Sequence, residues 1–322
     1  MAKKSIISIE IMAIISFSIV ISTIPVELLL DHLSTYGQID YLENYTYSSN
    51  VPSSVVKLNL NVDVGNVDIT YVDPPVEYII KIKVNIKMSG QYLTGNYSDY
   101  FNIDWEKTTS PLNFTLKFKS DLDHIEVLSL VEYISIVVIL RKDITFDIDA
   151  TVLIGDVELT VPFGVSISNV KIINHYGNSM LEYRNCIIGG NITGIIEEGD
   201  IELKTYNVEY ALNSVWNLST QTGNGEIEIN QEREMGDNIT GIVAIPIGDL
   251  TLTYRDTTAN VGALFTFPLS TPSPLVNQSG FKPEVLDDGT EIYTSFDFPA
   301  KNNYNLLLNF TGFANIIELR SE

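Results

Sequence analysis

Five stretches of the chain read Gly155-Asp-Val-Glu-Leu159, Gly177-Asn-Ser-Met-Leu181, Gly199-Asp-Ile-Glu-Leu203, Gly225-Glu-Ile-Glu-Ile229 and Gly248-Asp-Leu-Thr-Leu252. Their glycines lie 22, 22, 26 and 23 residues apart, which makes them an internal repeat. Gly takes positive φ without steric cost and Asp or Asn suits turn geometry, so each pair bends the chain sharply. The fourth residue after each glycine is apolar (Leu159, Leu181, Leu203, Ile229, Leu252), and the one before it is polar in every copy except Met180. Alternation of this kind sends aliphatics inward and Glu158, Glu202 and Glu228 outward from a strand.

The same period-two pattern extends on the N-terminal side. Val56-Lys-Leu-Asn-Leu-Asn-Val-Asp-Val64, Tyr78-Ile-Ile-Lys-Ile-Lys-Val-Asn-Ile-Lys87, Phe114-Thr-Leu-Lys-Phe-Lys119 and Ile144-Thr-Phe-Asp-Ile-Asp-Ala-Thr-Val-Leu153 all alternate. No helical periodicity competes with it after residue 55, so the predicted fold class is all-β. Two architectures fit: a β-solenoid of stacked coils, about 4.8 Å per repeat, or an antiparallel β-sandwich built of hairpins. Gly65-Asn-Val-Asp-Ile69 is an earlier copy of the turn, whereas residues 88–143 do not repeat. Asp287-Asp-Gly-Thr290 followed by Tyr293-Thr-Ser-Phe-Asp-Phe298 predicts a closing hairpin.

The recurring Gly-[Asp/Asn]-aliphatic-x-aliphatic step, with Thr222-Gly-Asn-Gly-Glu-Ile-Glu-Ile229, resembles the DUF4097 family of β-strand-repeat, adhesin-like proteins. The likeness runs from Leu58 to Leu252. It implies a solenoid-like sheet at a cell surface or envelope, and it carries over no catalytic residue.

The N-terminus reads as an address. Lys3 and Lys4 precede an apolar stretch from Ser5 to Ile24, and Glu27 and Asp31 follow it, an arrangement that leaves the N-terminus in the cytoplasm. Residues 1–30 are expected to be a signal anchor or a signal peptide. Residues 31–54, aperiodic and ending in Val51-Pro-Ser-Ser54, are expected to be a juxtamembrane stalk. An N-terminal β region with an irregular insert (55–150), a Gly-Asp repeat β-solenoid (151–260) and a C-terminal β cap (261–322) complete the expected organisation. A second apolar run, Val127 to Leu140, is short and contains Glu132, so it is expected as buried strand rather than a span. Eight Asn-x-Ser/Thr triplets, at Asn44, Asn96, Asn113, Asn191, Asn217, Asn238, Asn277 and Asn309, favour a location outside the cytoplasm.

Composition removes several classes of function. A formal net charge of -22 over 322 residues repels phosphate backbones, so nucleic acid is not an expected partner. The single cysteine, Cys186, forms no intramolecular disulfide and no cysteine metal site. Three histidines, none in a His-Glu-x-x-His pair, give no zinc motif, and His175 beside Gly177 is expected in a turn. The remaining chemistry-bearing residues are acids. Glu197-Glu198-Gly199-Asp200 is the densest cluster in the repeats, and Glu158, Glu202 and Glu228 are expected to form one outward ladder. Such acids could hydrolyse glycosides or hold Ca²⁺, but turn formation and solvation of an outward face account for them. No catalytic, cofactor-binding or metal-ligating residue is therefore assigned.

The expected function is that of a non-catalytic, membrane-anchored, extracytoplasmic scaffold, adhesin-like, meeting a protein or glycan at the cell surface and the membrane only through its N-terminal segment. A carbohydrate-active β-helix enzyme and a laterally assembling envelope component are the alternatives. The irregular segments from Met88 to Asp143 and Ala259 to Thr290 are the expected places for a specific binding surface.

Overall fold

The computed structural model describes residues 36–48, 55–91, 93–109, 112–122, 124–211, 213–257, 261–267, 275–296, 298 and 304–321. The expected anchor or signal segment lies outside them. No helix among the described residues is long and apolar enough to cross a membrane.

The described chain is all-β, as its alternation requires. The Gly-Asp repeats begin with β9 (Val157–Val161), β11 (Ser179–Arg184), β14 (Ile201–Tyr206), β17 (Gly225–Gln231) and the second half of β18 (Ile239–Asp256). These strands pair in sequence order, and every pair is parallel: β9–β11, β11–β14, β14–β17 and β17–β18. A second parallel series runs from β8 (Phe146–Ile154) through β10 (Ser166–Tyr176), β13 (Ile192–Glu198) and β16 (Ser214–Thr222) to the first half of β18. A short third series links the start of β10 to β12 (Ile187–Ile188) and β15 (Glu209–Tyr210). Each of the first three repeats thus gives one strand to each series, and the fourth gives one to each of the first two. Antiparallel hairpins, the alternative read from sequence, do not describe this part of the chain.

The first series, hereafter sheet two, and the second, sheet one, bury their inward columns. In sheet two Ile69, Leu159, Leu181, Leu203, Ile227, Leu252 and Ile317 stand in register, all fully buried. In sheet one the column is Leu58, Ile148, Val170, Ile192, Trp216, Gly241 and Leu308. Gly241 has no side chain because Trp216 fills its place: a Cβ there would meet the Trp216 Cβ at 2.7 Å.

The glycine corner joins the sheets, and its register differs from the expected one in one repeat. Gly65, Gly155, Gly177, Gly199, Gly223 and Gly248 all have φ between 132° and 146°. A Cβ on Gly177 would run into the carbonyl of Gly155, one on Gly199 into that of Gly177, and so on along the stack. The glycine that stacks in the fourth repeat is therefore Gly223, not Gly225. Thr222-Gly-Asn-Gly offers two glycines two residues apart, and only Gly223 is followed by an Asn that can continue the corner. Ile227, not Ile229, consequently stands with Leu203 and Leu252.

Behind each glycine an Asx side chain caps the next corner. The Oδ1 atoms of Asn66, Asp156, Asn178, Asp200 and Asn224 accept the backbone N–H of Asp156, Asn178, Asp200, Asn224 and Asp249 respectively, at 2.6–3.0 Å. A shorter ladder of the same type edges sheet one, where Asn169 accepts from Asn191 and Asn191 from Val215, both at 3.0 Å. Each N–H that would be left unpaired by the bend is thereby satisfied.

The N-terminal half extends the same sheets. β2 (Val56–Val64) lies parallel to β8, and β3 (Asn66–Val72) parallel to β9. Beyond them, β6 (Leu112–Ser120) and β7 (Val131–Arg141) continue in parallel, then β5 (Phe101–Thr109) and β4 (Ile80–Gln91) turn antiparallel. β1 (Tyr36–Tyr47) pairs with β4 along its whole length. Much of the expected stalk is therefore a strand. Its inward residues are Ile39 and then Tyr41, Tyr45 and Tyr47, so one aliphatic followed by tyrosines hid the alternation. The apolar run Val127–Leu140 is only partly strand: α1 (His124–Leu130) occupies its start, with Val127 buried and Leu130 half-buried three residues on. An i, i+3 pair inside a short apolar run is indistinguishable from strand by hydrophobicity alone.

At the other end β23 (Tyr304–Ser321) pairs with both halves of β18. It is flanked by β19 (Val261–Phe267) and β20 (Leu275–Ser279), and the expected hairpin is present as β21 (Phe281–Val285) and β22 (Glu291–Ser295).

Candidate functional surfaces

The outward acids of sheet two do not form the single ladder expected of Glu158, Glu202 and Glu228. With the fourth repeat registered on Gly223, the column reads Asp68, Glu158, Met180, Glu202, Glu226 and Thr251. Glu228 falls in the neighbouring column with Glu182 and Lys204. Cations interrupt the acids: Lys204 is paired with Glu202 and lies 3.8 Å from Glu226, and Arg184 is paired with Glu182. Arg184 also covers the Tyr206 ring at 4.7 Å, and the Tyr206 hydroxyl donates to Glu228 at 2.8 Å. The result is a mixed lattice of charge on one face of the sheet.

The Glu197–Asp200 cluster disperses in the same way. Glu197 lies 3.0 Å from Nδ1 of His175, which stands in β10 and not in a turn. Glu198 is opposite Tyr176 and Thr222, and Asp200 is occupied in the Asx ladder. Among the described residues no three His, Cys, Asp or Glu side chains converge as a metal site requires. Cys186 is buried, and that burial pushes its thiol pKa up to about 12, so it is not a reactive thiolate.

One pair of acids is electrostatically distinct. Asp68 and Glu158 are register partners beside a shallow depression lined by Asn66, Ser135, Asp156, Asn178 and Met180. Desolvation raises the carboxyl pKa of both, and Asp68, Glu182 and Glu202 push Glu158 further in the same direction. A carboxyl pKa raised on folding means that the native state binds the proton more tightly, so ionisation of Glu158 weakens the fold as pH rises through that range. Glu158→Gln is thus expected to raise the denaturation midpoint at pH 7 and to leave it unchanged below the carboxylate range. Urea titrations at the two pH values check this, and an equal effect at both would remove the electrostatic explanation.

The irregular segment between Met88 and Asp143 contributes an aromatic end to the molecule. Trp105 stacks on Phe114 at 5.4 Å, Tyr47 packs on Phe114 at 4.9 Å, and the Lys107 ammonium sits 3.9 Å from the centre of the Tyr47 ring. Tyr41 stacks on Tyr97 beside a depression lined by Gln38, Asp40, Asn96 and Ser98.

A surface that local motifs did not reveal is the part of the outer face of sheet one formed by β16, β18, β23 and β19. The segments 214–222, 239–245, 261–267 and 304–312 contain no charged residue, although the whole chain carries a net charge of -22. Val215 and Ile242 are about half exposed on this face, at 49% and 50%. The signal was present as uncharged strands, but these are far apart in sequence, and only the pairing of β16, β18, β23 and β19 joins them.

No family model and no curated protein matches the chain. Among solved structures it is similar to a proposed cell adhesion protein from Clostridium sporogenes, at 13% identity over 88% of this chain and 100% of that one, with a TM-score of 0.40. It is also similar to a proposed adhesin from Bacteroides fragilis, at 12% identity over 87% and 96% of the two chains, with a TM-score of 0.41. Similarity of this size transfers neither a partner nor a residue role to this chain.

Proposed function

We propose that the chain is a non-catalytic surface scaffold, a β-solenoid held to the outside of a membrane by its N-terminal segment and presenting extended sheet faces to a protein or glycan. The observation that carries this reading is the dispersal of the outward acids. Glu158, Glu202, Glu226 and Glu228 project from one face of a parallel sheet with Lys204 and Arg184 among them, whereas glycoside hydrolysis needs two carboxyl groups facing each other across a substrate. Corners consumed by Asx capping leave the faces as the surfaces for binding. The turn and sequence pattern supports an adhesin-like member of the β-strand-repeat class. Apolar residues bounded by Lys3 and Lys4 before and Glu27 and Asp31 after support the anchor and its orientation.

Protease treatment of intact cells tests the reading. Loss of the β region from unbroken cells, with the chain sedimenting with membranes beforehand, is the expected result. A chain protected until the cells are lysed would overturn it.

A further inference from the structure

We propose that Asn217 and Asn309 are N-glycosylated and that their sugars cover the uncharged part of the outer face of sheet one, formed by β16, β18, β23 and β19. The inference rests on the extracytoplasmic location proposed above. In Asn217-Leu-Ser219 and Asn309-Phe-Thr311 the middle residue is buried, so the alternation of β16 and β23 sends the Asn and the hydroxyl two residues later to the same outward face. That places the acceptor amide and the hydroxyl that defines the triplet side by side, accessible from solvent. Both Asn side chains are exposed, and neither is in a hydrogen bond among the described residues. Asn238 is the contrast: its Oδ1 accepts the Asn305 N–H at 2.8 Å, and its amide reaches Asn213 and Asp237.

Position gives these two triplets their consequence. Asn217, Ile242 and Asn309 are consecutive register partners on β16, β18 and β23, so a sugar on each Asn would flank the exposed Ile242 from both sides. The strand spacing puts the two acceptors about 9.6 Å apart, within reach of a single sugar layer. A half-exposed Ile and Val on a patch of strands without charge otherwise invite association. The opposite face needs no such cover: β9, β11, β14 and β17 contain no acceptor triplet and carry the charged lattice.

The chemistry is a substitution without redox change. The donor is a sugar carried on a lipid-linked phosphate or diphosphate, and a transferase of the cell brings it to the acceptor. The amide nitrogen Nδ2 forms a bond to the anomeric carbon as the bond from that carbon to the phosphate oxygen breaks. One amide proton passes to a base of the transferase, and the lipid phosphate leaves with the bonding electron pair.

The test is glycopeptide mass mapping on the full chain purified from the envelope of its own cells, beside the Ser219→Ala/Thr311→Val variant, which keeps both Asn residues and removes the two hydroxyls. Sugar mass on the peptides containing Asn217 and Asn309, absent from the variant, is the expected result. The variant is also expected to self-associate with rising concentration. Unmodified Asn217 and Asn309 in a chain that proteases reach on intact cells would overturn this inference alone, whereas protection from those proteases would overturn the location as well. Cross-links between copies through the Ile242 face of the unmodified native chain would assign that face to a protein contact instead.

Discussion

Gly199→Val is expected to lower the stability of the fold by on the order of 4 kcal/mol, the sum of a strained backbone and a blocked stack. At φ 143° the backbone of Gly199 occupies a region that a β-branched residue does not enter. The new Cβ would also press into the carbonyl carbon of Gly177, one coil away, which is backbone and cannot rotate aside. Gly164→Ala is the internal control. That glycine also has positive φ, 79°, but nothing lies within 4 Å of its added Cβ, so only the left-handed backbone penalty of about 1–2 kcal/mol applies. Because β14 pairs only with β11 and β17 beside it, the Gly199→Val protein is expected to melt in two steps instead of one. Calorimetry and urea denatured circular dichroism would read both quantities. Equal costs for the two substitutions would show that the glycine stack does not set the corner.

Trp216→Ala is expected to cost about 3–5 kcal/mol, the range for emptying a buried aromatic site. Trp216 is 1% exposed, stands in the inward column of sheet one between Ile192 and Gly241, and has Tyr210 beside it at 6.3 Å. Gly241 cannot refill the space, since it has no side chain to turn inward. Trp216→Phe retains one ring of the two and is expected to lose less than half as much. Thermal and urea midpoints of the two variants make the comparison. A loss below about 1 kcal/mol for Trp216→Ala would mean that the column collapses around the gap and that packing there is loose.

The repeat strands were legible because their cause is local. Alternation around Leu159, Leu181 and Leu203 and the Gly-Asx corner are both contained in five residues, and the stack places those leucines in one column. What failed to show was set by pairing at a distance. Gly223 and Gly225 compete for one corner, and the winner depends on where Gly199 and Gly248 lie in space. Gly65 stacks under Gly155 although 90 residues separate them, because β4 to β7 extend the sheets on the far side of β2 and β3 before the chain returns as β8 and β9. The candidate surfaces followed the same division. Acids were visible one repeat at a time, but the displacement of Glu228 by Glu226 in the outward column, and the uncharged face shared by β16, β18, β23 and β19, exist only once strands are in register.

The Asx ladder has a consequence for how such a chain can grow. Its acceptors alternate, Asn66, Asp156, Asn178, Asp200 and Asn224, so that amide and carboxylate take turns in the same acceptor role, and the next corner again carries an acid, Asp249. Strands in a sheet lie about 4.8 Å apart, which would set carboxylates on adjacent coils well inside a physiological screening length of about 8 Å. Alternation doubles the distance to about 9.6 Å, halves the Coulomb repulsion and brings it under the reach of salt. Removing an Asn member or adding an Asp member alone would therefore set two carboxylates side by side, whereas an Asn–Asp pair can be gained or lost together without doing so, although the fold itself repeats with every coil.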